Sequence, residues 1–235
     1  MEQIIKKDNK IIFKTEIDES LANAIRRHVN QIYLTAIDEV EISKNDSPLY
    51  DETVAHRLGL IPLKQNSKKE GKMKLSVEEE GFVYSKSLKG DFEVVYDKIP
   101  ITLLSKGQEI ELVAFAKSGK GKEHAKFSPG IISYRQVMEI LLDKDVAEKV
   151  KATIPNLEIK NKADKAAIID DREKEICDLC EGISEKKGKK IEVKPTKEIV
   201  FSVESFGQIP AKDIFVKSIE ALKKDLDEIA KKISK

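Results

Sequence analysis

The sequence predicts an α+β fold in which helices near both ends enclose a strand-rich middle. Over 21–32 the apolar residues Leu21, Ala24, Ile25, Val29 and Ile32 recur at a spacing near 3.6, which puts one oily stripe on a helix. Over 91–117 the pattern changes to alternation, clearest where Ile110, Leu112 and Ala114 oppose Glu111 and Val113. From Phe215 onward Ile219, Leu222, Leu226, Ile229 and Ile233 follow at steps of 4, 3, 4, 3 and 4, a heptad seam set among lysines and acids.

In chain order, residues 1–16 read as a hairpin, with Ile4, Ile5 and Ile11 to Phe13 around a turn of Lys7, Asp8, Asn9 and Lys10. A helix over 20–33 follows, with Ser20 as its N-cap behind Asp18 and Glu19, and with Arg26 and Arg27 turned away from the stripe. Over 35–42, Ala36, Val40 and Ile42 share one parity and Glu39 and Glu41 the other, as in a strand with one wet face. Residues 45–48 break this regularity before a short helix, DETVAHRLG. Its Val54 and Leu58 lie four apart, and Gly59 is placed as the C-terminal stop ahead of Pro62.

Residues 64–89 are polar, lysine-rich and punctuated by glycine, so loops at the surface are expected there, with one strand at 73–77. Strands are expected at 91–96, 99–104 and 109–117, then a long mobile connection at 118–130 and a strand at 131–136. A short helix at 145–153 ends at Pro155, and residues 156–195, charge-rich and weakly periodic around CDLC, read as a small appendage. A strand at 199–203 and a turn at 206–210 lead into the last helix, which over 211–234 would extend about 36 Å. Six large apolar side chains on so narrow a seam ask for a partner, since each stabilises by roughly 1.5–3 kcal/mol when buried.

Composition removes several function classes. Forty-three basic residues against 42 acidic ones leave a formal charge of +1, so no global field draws nucleic acid or an anionic membrane. The arginines are Arg26, Arg27, Arg57, Arg135 and Arg172, and the first three fall in the stretch 21–63, where their planar forks suit fixed interface contacts. The 235 residues suffice for one large or two small domains burying about 70% or more of the extended surface. The start, MEQIIKKDNK, has no apolar h-region, and the longest apolar run, LVAFA, is far short of a membrane span, so a cytoplasmic protein is expected. Charged residues, mostly Lys and Glu, make up 36% of the chain, a balance shared by hyperthermophile proteins and AT-rich genomes.

No catalytic constellation stands out. Cys177 and Cys180 supply half of a tetrahedral metal site, but the chain has no third cysteine, and His28, His56 and His124 sit in differently patterned segments. SGKGKEH fails as a phosphate loop because Glu123, not Ser or Thr, follows Lys122. For Arg26 and Arg27 the bland alternative is a solvated helix face, and for the C-terminal seam it is packing within the same chain.

The blocks LANAIRRHVNQIYLTAIDEVEI, DETVAHRLGLIPL and HAKFSPGIISYRQ, in this order and closed by the heptad helix, resemble the D subunits of archaeal DNA-directed RNA polymerase. That family is the counterpart of the third-largest subunit of eukaryotic RNA polymerase II and of the bacterial alpha subunit N-terminal domain. The resemblance covers essentially the whole chain. It implies a discontinuous dimerisation domain of sheet plus helices at 1–43 and 198–235, an inserted mostly β domain at 44–155, and a reduced ferredoxin-like appendage at 156–197.

The resemblance further implies a noncatalytic subunit that heterodimerises with subunit L and acts as the assembly platform. Subunits N and P and the second-largest subunit join it, nucleotide addition resides in the large subunits, DNA is met only through the assembled complex, and no membrane is involved. By position, Leu21, Ala24, Ile25, Val29, Phe215, Ile219, Leu222, Leu226 and Ile229 would form the dimer face or the core shared with it. Asn23, Arg26, Arg27, Asp51, Glu52, His56 and Arg57 would dock other subunits. Some members carry cluster-binding cysteines in a pattern such as CxxCxxC; here Ile183 stands at the third position, so the expectation is no iron–sulfur cluster, no zinc and no other cofactor. Two rivals remain: a ferredoxin-like redox protein, which would purify brown and iron-containing, and a homodimeric scaffold, which would dimerise without L.

Overall fold

The computed structural model describes residues 2–7, 9–154, 157–162, 164–171 and 176–233. Asp8 of the expected first turn, Pro155 and Arg172 lie outside them, as does the side chain of Ile4. The fold is α+β. Its chain order is β1 (Glu2–Lys7), β2 (Lys10–Glu16), α1 (Glu19–His28), β3 (Tyr33–Asn45), α2 (Asp51–Gly59), β4 (Glu70–Val77), β5 (Gly81–Tyr84), β6 (Lys89–Gly90), β7 (Pro100–Leu104) and β8 (Ile110–Lys120). Then come β9 (Gly130–Asp143), α3 (Lys144–Thr153), β10 (Ile159–Lys162), β11 (Lys165–Asp170), α4 (Cys177–Glu185), β12 (Glu192–Ser205) and α5 (Ala211–Ile233). Among the described residues no helix is long and apolar enough to cross a membrane.

Two compact units make up the chain, one of residues 1–24 with 132–202, the other of 25–131 with 203–235. Helix α1 and strands β9 and β12 each run from one unit into the other. In the first unit six strands form one sheet in the order β1-β2-β12-β9-β11-β10. The expected N-terminal hairpin is its antiparallel β1–β2 edge. The strand expected at 131–136 runs on to Asp143, where Ile140 pairs with Ile168 and Leu142 with Ala166 of β11.

Weak periodicity concealed β10 and β11, which are short strands of four and six residues without a clear alternation. Along α3, Val146, Ala147 and Val150 make one apolar stripe and pack with Ile140, Leu142, Ala166 and Ile168 of the sheet and Cys180 of α4. Farther along the sheet the rings of Phe13 and Phe201 stack with centroids 5.5 Å apart, and Tyr134 tilts against Phe201 at 6.0 Å. Asp170, fully buried, accepts from Arg135 Nη2 at 3.1 Å and from the Ile176 amide at 3.1 Å, which ties β9 and β11 to the entry of α4. A buried carboxylate needs such partners to remain inside.

The second unit holds a four-stranded sheet ordered β3-β8-β4-β6 and a two-stranded ribbon, β5-β7. Its core draws Ile37, Val54, Leu58, Met73, Leu75, Val83, Leu112 and Ala114 together. Residues 64–89 are therefore not mere surface. The strand expected at 73–77 lies within β4, which alternates lysine outward with Met73 and Leu75 inward, and these two and Val83 of β5 are fully buried. The strand expected at 91–96 is irregular instead, held by one bridge from Leu63 to Val94, with Phe92 still buried.

Nor is 118–130 a loose connection. Strand β8 continues to Lys120, a 3-10 turn spans Ala125–Phe127, and Phe127 is buried against Gly119, where a Cβ would come within 2.6 Å of its ring. Strand β3 forms a long sheet edge, and Gln65 closes part of it with an amide that accepts from Thr35 N at 2.8 Å and donates to Thr35 O at 3.1 Å. Helix α2 forms over the expected residues, but Gly59 is not its stop. Gly59 lacks the positive φ of a left-handed cap, and the Leu60 amide closes the helix on the Arg57 and Leu58 carbonyls.

Candidate functional site

Helix α1 is shorter than its sequence pattern, giving way at Val29–Gln31 to a 3-10 turn. Its cap is Asp18 rather than Ser20. The Asp18 carboxylate accepts from the Ser20 amide at 2.8 Å and from the Ser20 hydroxyl, and its carbonyl accepts from Ala22 at 3.0 Å. The hydrogen bonds from the Ser20 hydroxyl and then its amide hold the Asp18 carboxyl below its ordinary range. Ala22, Ile25, Val29 and Ile32 are buried, Ala24 and Asn23 are half-buried, and Leu21, Arg26 and Arg27 are exposed. Ala22 is the buried position the stripe reading missed, since alanine is equally at home on a wet face.

Helix α5 begins where Pro210 offers its carbonyl to Asp213 and Ile214 at 3.0 and 3.1 Å. The turn before it requires a glycine. Gly207 has a φ of +100°, and a Cβ there would lie 2.6 Å from Val95 and 2.8 Å from the Tyr96 hydroxyl. Along α5 the heptad seam meets two environments. Ala211, Ile214, Phe215 and Ser218 are buried, Ile219 and Leu222 are half-buried, and Leu226, Ile229 and Ile233 are 56%, 54% and 81% exposed. The change falls near Asp225, whose carboxylate meets His28 Nε2 of α1 at 3.3 Å. Tyr33, which the seam reading did not include, stands exposed with Lys120 Nζ 4.8 Å from its ring centroid. Together with Glu220, Lys224 and Glu228 of α5 these residues line a groove of about 390 Å³.

The second expected docking set lies on α2. Asp51, Glu52, His56 and Arg57 are all exposed, while Val54 and Leu58 root the helix in the core. Two of the four are partly committed to their own chain. Asp51 accepts from Asn45 Nδ2 at 2.8 Å, and Arg57 donates through Nη1 to the Ile101 carbonyl at 2.9 Å. The acids in the first turn and the His and Arg in the last complement the helix dipole.

Cys177 and Cys180 occupy the first turn of α4. Cys180 is fully buried in the apolar cluster, and that burial, with lesser contributions from Cys177 and Asp170, pushes its thiol up to about 11. A metal or cluster ligand is a thiolate, whereas this apolar setting favours the neutral thiol. Ile183, at the third position of the CxxCxxC pattern, packs against the same cluster. The donor set does not fit an iron–sulfur cluster. Among the described residues no three or more His, Cys, Asp or Glu side chains gather as metal ligands.

Residues 40–134 match the family described as the RNA polymerase Rpb3/RpoA insert domain. The chain is similar to the DNA-directed RNA polymerase subunit Rpo3 of Thermococcus kodakarensis, 32% identical over 93% of this chain and 91% of the relative. It is similar to the Rpo3 subunit of Pyrococcus furiosus at 32% identity over 98% of this chain and 95% of the relative. The Rpo3 subunit of Methanocaldococcus jannaschii is 40% identical over 55% of this chain and 71% of its own length.

Proposed function

The chain belongs to the Rpo3 subunit family of DNA-directed RNA polymerase, and on that premise we propose that it is the noncatalytic assembly platform of such an enzyme, heterodimerising with subunit L. The observation that carries this reading is the end of α5, where Leu226, Ile229 and Ile233 continue a packed seam into solvent. An apolar stripe left open on one side is what a partner helix would bury. Leu21, exposed on α1, is proposed to meet the same partner. Ile25, Val29 and Phe215 support it from within, as the core on which the open residues stand.

On the same reading, residues 1–43 and 198–235 act as the dimerising part, 44–155 as an insert and 156–197 as an appendage without a cluster. Asn23, Arg26, Arg27 and the exposed residues of α2 dock subunits N and P and the second-largest subunit. The protein works in the cytoplasm and meets DNA only within the assembled enzyme. Co-expression with subunit L, followed by mass measurement of the purified species, tests this. A one-to-one heterodimer is expected; a homodimer in the presence of L, or an iron-containing brown monomer, contradicts it.

A further inference from the structure

The two sheets of the second unit treat their outward faces differently. On the four-stranded sheet the outward Val113 and Phe115 of β8 are flanked by charge, with Lys74 and Lys72 opposite them on β4 and Glu41 and Glu39 opposite them on β3, and Lys72 Nζ lies 4.8 Å from the Phe115 ring centroid. The β5–β7 ribbon has no such cover. Phe82 stands directly opposite Leu103, and Tyr84 opposite Pro100, with a register shift between Val83 and Tyr84 keeping both pairs on the outward side. Val83, Ile101, Thr102 and Leu104 point inward and are buried.

Every outward position of the ribbon is therefore apolar or aromatic. Phe82 is 61% exposed and Leu103 45%, and the rings of Phe82 and Tyr84 touch with centroids 5.9 Å apart. Immediately before β5, Glu78, Glu79 and Glu80 are all exposed, and none forms an ion pair with another described residue. Adjacent carboxylates repel one another until a cation comes between them, and a contiguous apolar face on a rigid ribbon is stabilised by being covered. Here the two needs lie end to end along one short element.

We propose that the outward face of the β5–β7 ribbon docks a segment of a neighbouring polymerase subunit, one that brings an apolar anchor to Phe82 and Leu103 and lysine or arginine side chains to 78–80. The inference rests on the polymerase-subunit reading and adds to it a surface distinct from α1, α2 and α5. The matching chemistry is a basic segment, because the apolar face supplies area while the three carboxylates supply orientation and exclude acidic competitors.

The test replaces Phe82 with the photo-crosslinker p-benzoylphenylalanine in the full chain, assembles and purifies the polymerase, irradiates it and maps the crosslinked peptides by mass spectrometry. The same replacement at Leu226 serves as the companion. Position 82 is expected to crosslink to a basic segment of another subunit, with the yield falling at least tenfold when Glu78→Lys, Glu79→Lys and Glu80→Lys are added. A crosslink to an acidic segment or to a second copy of this chain overturns the proposal, as does a yield indifferent to the charge reversal. Crosslinking from 226 but not from 82 overturns this inference and leaves the subunit reading standing; silence at both positions overturns both.

Discussion

The two halves of α5 share one sequence pattern and live in opposite environments. Over its first turns Ala211, Ile214 and Phe215 are sealed into the second unit, whereas Leu226, Ile229 and Ile233 continue the same seam in water. Heptad spacing says only which side chains share a stripe. Whether that stripe is closed by the same chain or by another is decided by how far the rest of the fold reaches along the helix, here to about the His28–Asp225 contact. On the proposed reading the seam is fold at one end and interface at the other, so equal substitutions in the two halves should fail in different ways.

The largest contrast comes from a carboxylate. Phe215→Asp places a charge in a sealed site and should cost more than about 4 kcal/mol, seen as loss of the cooperative thermal transition of the chain alone. The pair Leu226→Asp and Ile229→Asp should leave the free chain within about 0.5 kcal/mol per substitution of its original stability while abolishing the heterodimer on size-exclusion chromatography. If both variants unfold, or both keep the partner, the contrast between the halves is wrong.

A buried group elsewhere supplies a reference for what a sealed position looks like. Cys180 should resist thiol alkylation at pH 8 until the protein is unfolded, as followed by mass spectrometry. Its thiol is held near 11 in the fold against 9.0 as the ordinary value, so the unfolded chain gives up the proton first. Stability should accordingly fall as pH rises from about 9 toward 11, and Cys180→Ala should remove that part of the fall.

The smallest effect belongs to the contact between the halves. His28→Ala should cost no more than about 1 kcal/mol by chemical denaturation, because the Asp225 carboxylate is half exposed and screened by water. A loss several times larger would mean that the boundary is a structural clamp.

Strong single periods were legible in the sequence. The α5 seam, the α2 helix and the alternation of β8 needed no tertiary information, since each repeats one pattern long enough to outweigh local composition. Three kinds of feature were not. Val83 sits on the four-residue β5 inside a polar, lysine-rich stretch, so that averaged polarity read as a surface loop. Asp18 and Ser20 are both good cap residues, and only the coordinates show that Asp18 accepts while Ser20 donates. The ribbon patch needed the register shift that brings Tyr84 opposite Pro100, a cross-strand relation with no trace in linear spacing. For the residues proposed as the dimer face, the spacing put Phe215 and Leu226 on one stripe but had no means of separating the buried one from the exposed one.

Amide hydrogen exchange along α5, measured on the free chain and on its complex with subunit L, tests the central claim most directly. In the free chain the amides of 226–233 should exchange far faster than those of 214–218, and binding should slow the former at least tenfold while leaving the latter unchanged. Equal protection of both halves in the free chain, or no gain over 226–233 on binding, would contradict it.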